Sequence, residues 1–191
     1  MRANARRNLF TSLLRSTERR RTLNTQKVVA YPRKVIFDIV ADVKNYQSFL
    51  PYCATSTVTH RNQTDTNQDL ITATIGVGFR ALKAEFRSKV QLHHLDRIHA
   101  VSEPNDLLEH LSFTWHFAPL GENSTKLDLA LDFALRRPEH LVVWDFAQDR
   151  VVAEYLACFQ RRCAQVQAQG RTCAQNQPTP AKPNGPNDAI E

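Results

Sequence analysis

From Glu139 to about Gln167 the chain runs without a glycine or a proline, and apolar residues return at helical spacing: Trp144, Phe146, Val151, Val152, Tyr155, Leu156, Phe159 and Val166. Polar residues, among them Asp145, Asp149, Arg150, Glu154, Arg161 and Arg162, fill the gaps. The pattern predicts one long amphipathic helix with a wide apolar face. Pro138 stands where the helix starts, because proline's missing N–H costs nothing in the first turn. Arg161 and Arg162 lie toward the end, where cations suit the helix dipole. A face this wide must be laid against something, either to close a core or to cover a cavity.

The preceding residues supply the surface. Ile71, Ala73, Ile75, Val77 and Phe79 alternate with Thr72, Thr74, Gly76 and Gly78; Leu82, Ala84, Phe86, Ser88, Val90 and Leu92 alternate with charged and polar residues. Leu111, Phe113, Trp115 and Phe117 do the same, and so do Leu127, Leu129, Leu131, Phe133 and Leu135. Period-two alternation marks an antiparallel sheet with one dry and one wet face. Shorter strands are expected at 22–30, 53–61 and 97–103, giving about seven. Pro32 opens a helix over about 33–43, with Val35, Ile36, Ile39, Val40 and Val43 as its apolar positions, and Tyr46, Phe49 and Leu50 predict a further short turn before Pro51 ends it. The helices do not alternate with the strands, so the class is α+β rather than doubly wound. Gly76 and Gly78, two apart in one strand, mark a bulge or a close backbone approach.

Charge is unevenly placed. Seven of the 25 basic residues and one of the 19 acids lie in residues 1–21, leaving 18 of each in the remainder. The formal net charge of +6 therefore belongs to that segment, and the neutral remainder argues against a nucleic-acid-binding domain. The segment is rich in Arg and Ser and carries Leu9, Phe10, Leu13 and Leu14 at helical spacing. It has the form of a mitochondrial transit peptide, with cleavage expected near Ser16; the alternative is a disordered basic tail. From Ala168 onward Gln, Asn, Pro and Gly dominate, and a disordered tail over 168–191 is expected. A domain over 22–167 lies between. Cys53, Cys158, Cys163 and Cys173 form no C-x-x-C pair and imply no disulfide framework.

No phosphate loop, dinucleotide fingerprint or nucleophile elbow is present. No two histidines have the spacing of a zinc pair on a helix, and His110, His116, Asp128 and Asp132 fall on the wet phase. No catalytic residue and no metal set is identified. What remains is a store of bulky inward side chains: Phe79, Phe86, Phe113, Trp115, Phe117 and Phe133. These make either an ordinary core or the wall of a mostly apolar ligand cavity.

Several blocks of residues are similar to a known family. Tyr31-Pro32, Phe37-Asp38-Ile39-Val40-Ala41-Asp42-Val43, Asn45-Tyr46 and Phe49-Leu50-Pro51-Tyr52-Cys53 resemble the opening of the mitochondrial coenzyme Q-binding proteins, of the START-like, polyketide cyclase superfamily. Ile75 to Phe79, Leu111 to Phe117, Phe133 to Leu135 and Phe159 to Arg162 are looser matches, so the resemblance spans about 24–165. It implies a helix-grip fold, in which a curved antiparallel sheet holds the C-terminal helix with a tunnel between them. It implies a non-catalytic carrier or chaperone of polyprenyl quinone serving respiratory electron transport, peripheral on the matrix side of the inner membrane. Coenzyme Q (ubiquinone) is the implied ligand, with no catalytic cofactor; respiratory or quinone-biosynthetic enzymes are the implied partners, and nucleic acid is not one. The residues expected to touch the ligand are Val40, Tyr46, Phe49, Leu50, Pro51, Val77, Phe79, Phe86, Phe113, Trp115, Phe133, Val152, Tyr155, Leu156 and Phe159. The 46–52 cluster is the expected entrance, with Phe49, Leu50 and Tyr52 exposed to a membrane surface. Arg136-Arg137-Pro138 departs from the family pattern and bears on where the long helix begins. Two alternatives stay open: a cyclase or aromatase, for which the inward phases offer chiefly Ser88, and a ribosome-associated interaction protein.

Overall fold

The computed structural model describes residues 19–65, 67–79, 82–137 and 139–175, with the side chains of 64, 65, 79, 82, 139–149 and 170–175 outside that description. The elements run β1 (Arg20–Val29), α1 (Arg33–Ala41), a 3-10 helix (Val43–Ser48), β2 (Cys53–Asp65), β3 (Gln68–Phe79), β4 (Leu82–His93), β5 (Arg97–Ser102), β6 (Leu108–Gly121), β7 (Ser124–Leu135) and α2 (Glu139–Gln175). The strands form one seven-stranded sheet in the order β1-β7-β6-β5-β4-β3-β2, with every neighbouring pair antiparallel. This is the helix-grip arrangement expected.

β1 and β2 are consecutive strands on opposite edges of the sheet. The segment that joins them, α1 and the 3-10 turn, therefore has to cross from one edge to the other. It makes that crossing as part of the core: Ile36, Phe37, Ile39, Val40 and Val43 are all buried. The α1 N-terminus is held by the Pro32 carbonyl, which accepts from the N–H groups of Val35 (3.0 Å) and Ile36 (3.4 Å). The helix ends at Ala41, short of the expected 43, because the chain tightens into the 3-10 turn at Val43.

β2 carries register shifts at Cys53/Thr55, Val58/His60 and Gln63/Asp65. Extra residues on one strand of a pair bend it and raise its twist; the β6–β7 pair carries two further shifts, at Leu108/His110 and Pro119/Gly121. The first β2 shift lies opposite Gly76, where a Cβ would collide with Thr55 Oγ1. Gly76 thus sits at the bulge that the glycine spacing marked, with the Thr55 side chain in the space a Cβ would take; Gly78 faces open space.

α2 begins at Glu139 and continues to Gln175, eight residues beyond the expected end. Those eight residues, Ala168 to Gln175, carry no large apolar side chain, so hydrophobic periodicity gave no signal there. β1 likewise begins at Arg20, inside the segment assigned to targeting; Arg20 Nε donates to Asp132 Oδ1 of β7 at 2.9 Å, which ties the strand's first residue to the sheet. Residues 1–18, Pro138 and 176–191 lie outside the described residues, and with them most of the transit-peptide and tail segments. Cys53, Cys158 and Cys163 are free thiols.

Candidate functional site

The inner face of the sheet follows from the register. Ile71 of β3 pairs with Val90 of β4, Val90 with Ala100 of β5, Ala100 with Phe113 of β6, Phe113 with Leu131 of β7, and Leu131 with Leu23 of β1. These residues share one face, since paired residues point to the same side. The expected inward phases are the observed ones.

The side chains on this face fall into two clusters. The first joins sheet, α1 and α2: Phe37, Val40, Leu50, Val90, Leu92, Ile98, Phe117, Leu127, Cys158, Phe159 and Cys163 are among its buried members. Phe159 is its hub, edge-on to Tyr46, Phe49 and Trp115 with each centroid 5.5 Å away. Trp115 stacks on Phe117 at 6.3 Å and Phe37 meets Phe117 edge-on at 5.3 Å. Edge-to-face pairs at such distances add about 0.5–1.5 kcal/mol each beyond their burial. The second cluster is built by Leu108, Leu111, Leu131, Phe133 and Leu135, with half-buried Leu23, Phe86, Leu107 and Phe113 against it.

The expected ligand residues divide between these groups. Val40, Tyr46, Phe49, Leu50, Trp115 and Phe159 come together in or against the first cluster, and Tyr155 packs on its edge. Phe86, Phe113 and Phe133 belong to the second. Val77 and Val152 are half-buried and Leu156 is buried. The side chain of Phe79 lies outside the described residues.

The entrance departs from expectation. Leu50 is buried at 8% exposure and Phe49 is half-buried. Both are turned inward because the Tyr46 carbonyl accepts from the N–H groups of Phe49 (3.2 Å) and Leu50 (2.8 Å), folding the 3-10 turn over the rings. Tyr52 is the exposed residue, at 39%, and it has the left-handed φ of 62° that a tyrosine seldom adopts. The loop is fastened to α2, since the Tyr155 hydroxyl donates to the Pro51 carbonyl at 3.1 Å. Burial pushes the Tyr155 phenol up to about 12 and raises Tyr46 further. The Tyr46 hydroxyl donates to the Val40 carbonyl, so both phenols stay neutral and fixed.

A cavity of about 550 Å³ opens elsewhere, between α1 and the ends of β2, β3 and β4. Asp38, Asp42, Arg61, Asp69 and His94 line it beside Phe37, Val58, Ile71 and Leu92, and none of the expected ligand residues does. A lining this charged is a poor match to a hydrocarbon chain. Sequence reading missed it because its residues come from five separate elements, α1, the 3-10 helix, β2, β3 and β4.

Four polar side chains with hydroxyls are buried among the described residues: Ser56, Ser88, Ser102 and Thr125. Ser56 donates to the Val43 carbonyl and Thr125 to the Tyr31 carbonyl at 2.9 Å. Ser88 and Ser102 bond only to each other, at 2.7 Å. Ser88 shows in the β4 alternation, whereas Ser102 closes a six-residue strand too short for the pattern to be read.

No helix among the described residues is long and apolar enough to cross a membrane. Residues 29–160 match the family model described as polyketide cyclase / dehydrase and lipid transport. The chain is 28% identical over 83% of its length to the "Coenzyme Q-binding protein COQ10 homolog B, mitochondrial" of Xenopus laevis, and spans 64% of that relative. It is 33% identical over 56% of its length to the "Ribosome association toxin RatA" of Pseudomonas aeruginosa, covering 72% of it. The structure is similar, at TM-score 0.64 and 18% identity, to the Zhui aromatase/cyclase of Streptomyces sp. R1128, over 79% of this chain and 98% of that one. Because the family match runs from the last residue of β1 through α1 and β2–β7 into α2, over more than half of the chain, the chain belongs to the polyketide cyclase / dehydrase and lipid transport family.

Proposed function

We propose that the chain binds a polyprenyl quinone, coenzyme Q, between the inner face of the sheet and α2, and carries or presents it for respiratory electron transport. One observation carries the reading: Phe86, Phe113 and Trp115 stand on the inner face and yet are only half-buried. Large aromatics that face inward without being fully packed leave apolar surface for a guest. The relatives named as coenzyme Q-binding proteins supply the guest's chemistry.

The physical mechanism needs no catalytic group. A polyprenyl tail gains roughly 0.8 kcal/mol per CH₂ buried from water, but its resting place is lipid. A carrier has only to match the bilayer, which makes exchange with it reversible. The Pro51–Tyr52 loop is the entrance in this reading, and release of the Tyr155–Pro51 hydrogen bond opens it. Tyr52, rather than Leu50, is the residue that meets the lipid surface. The relatives named as mitochondrial support a mitochondrial location; the matrix side of the inner membrane, and targeting by residues 1–21, are parts of the same proposal.

A second reading rests on the Pseudomonas relative, named for ribosome association. The even balance of charge after residue 21 weighs against direct RNA contact. Expression in a quinone-producing bacterium, purification, organic extraction and mass spectrometry separate the two. Quinone near one per chain supports the carrier; a quinone-free chain that sediments with ribosomes overturns it.

A further inference from the structure

The Ser88–Ser102 pair has an unspent hydrogen. Two hydroxyls carry two hydrogens, and the single bond between them, 2.7 Å long, uses one. Whichever serine donates, the other's O–H has no acceptor among the described residues, although both side chains are buried at 7% and 6% exposure. Ser56 and Thr125, the other buried hydroxyls, each spend theirs on a main-chain carbonyl. A buried donor without an acceptor is costly to keep, and its retention on an inner face points to an acceptor that arrives from outside.

The pair's surroundings fit such a visitor. Ser88 faces Ala73 across the β3–β4 pair and Ser102 across the β4–β5 pair, so small side chains make a low place in the sheet floor. Half-buried Phe86 precedes Ser88 on the same face of β4, and Phe113 stands opposite Ala100. Along β4 the pair lies between Phe86 of the second cluster and Val90 of the first. It is a polar point on the seam of two apolar bodies.

We infer that Ser88 and Ser102 are the headgroup anchor of the lipid site, donating their unshared O–H to a ring carbonyl of the guest; this rests on the quinone-carrier reading above. Hydroxyls also accept, so the same pair takes the O–H of a quinol, and the anchor serves both redox states. The isoprenoid tail then lies along the half-buried aromatics.

The test compares a polyprenyl quinone with a polyprenyl hydrocarbon of equal length, for the full chain and for the double variant Ser88→Ala/Ser102→Ala. Replacing both partners of a hydrogen bond leaves no orphan, so the variant keeps its fold; circular dichroism checks this, and Ser88→Cys/Ser102→Ala stands in if it does not. The expected result is a quinone affinity about five- to tenfold lower, with hydrocarbon affinity unchanged. In the infrared, the bound quinone's carbonyl band moves up toward its position in apolar solvent. A variant that keeps the wild-type preference and band position overturns the anchor and leaves the carrier standing. A wild-type chain that binds neither lipid overturns both.

Discussion

The two apolar clusters of this protein are made differently. The first is a three-layer body: α1, the sheet and the far half of α2 interlock through Phe37, Phe117, Trp115, Tyr46, Phe49 and Phe159, and Ile36 and Cys163 reach 0% exposure. The second draws its described members from strands and one turn, and keeps Phe86, Phe113 and Leu23 only half-buried. The contrast teaches where a small domain can keep room for a guest. Close packing stabilises, and a void forfeits contacts, so an interior space is tolerable only where another region supplies the stability. The ring-locked end supplies it, and in the proposed reading the leucine-lined end holds the guest.

The sharpest way to break this comparison is to truncate one aromatic on each side. Phe159→Ala removes the hub of three ring contacts and is expected to cost about 3–5 kcal/mol of unfolding free energy in urea titrations. Phe113→Ala removes a half-buried ring and is expected to cost no more than about 2 kcal/mol. Equal losses would mean that the two clusters are packed alike. Ligand binding should rank the opposite way: Phe86→Ala/Phe113→Ala lowers quinone affinity about tenfold, equivalent to about 1.4 kcal/mol, in a chain that still unfolds cooperatively. Unchanged affinity would place the tail elsewhere.

Alkali sharpens the comparison on the first side. Tyr155 ionises near 10.0 when exposed and is held up to about 12 by burial. Its stabilising contribution is therefore whole below pH 10 and is lost as pH rises toward 12, because the unfolded chain releases the proton first. Tyr46, also raised by burial, acts in the same direction. Tyr155→Phe should flatten the decline of melting temperature over that range; an unaltered slope would show that the phenol is not held as described. The smallest effect belongs to the surface. Arg20 pairs with Asp132 across β1 and β7, but Arg20 is 59% exposed. Arg20→Ala should cost within about 1 kcal/mol, less in high salt, and a larger loss would make the β1 tie part of the core.

Much of the fold was legible in the chain. Alternation gave β3, β4, β6 and β7 their inward residues, because a sheet with one dry face prints period two directly. Pro32 and Pro138 marked where the helices start. The rest was hidden: the last eight residues of α2 carry no apolar period, and the β2 bulges depend on pairing that sequence alone does not show. At the site, the phase of Phe86, Phe113 and Trp115 was readable. The burial of Leu50 was not, since it follows from the hydrogen bonds of a 3-10 turn rather than from residue type. Nor was Ser102, whose meaning arises only beside Ser88.

Trp115 offers the most direct test of a guest between sheet and helix. It stands on the inner face, in contact with both Phe117 and Phe159, and Trp144→Phe leaves it the sole tryptophan of the two in the chain. Quinones quench indole fluorescence at close range, so titrating short-chain ubiquinone into that variant should give saturable quenching at about one quinone per chain. Emission from Trp115 that stays constant in a folded chain, while quinone is present in excess, would contradict the claim.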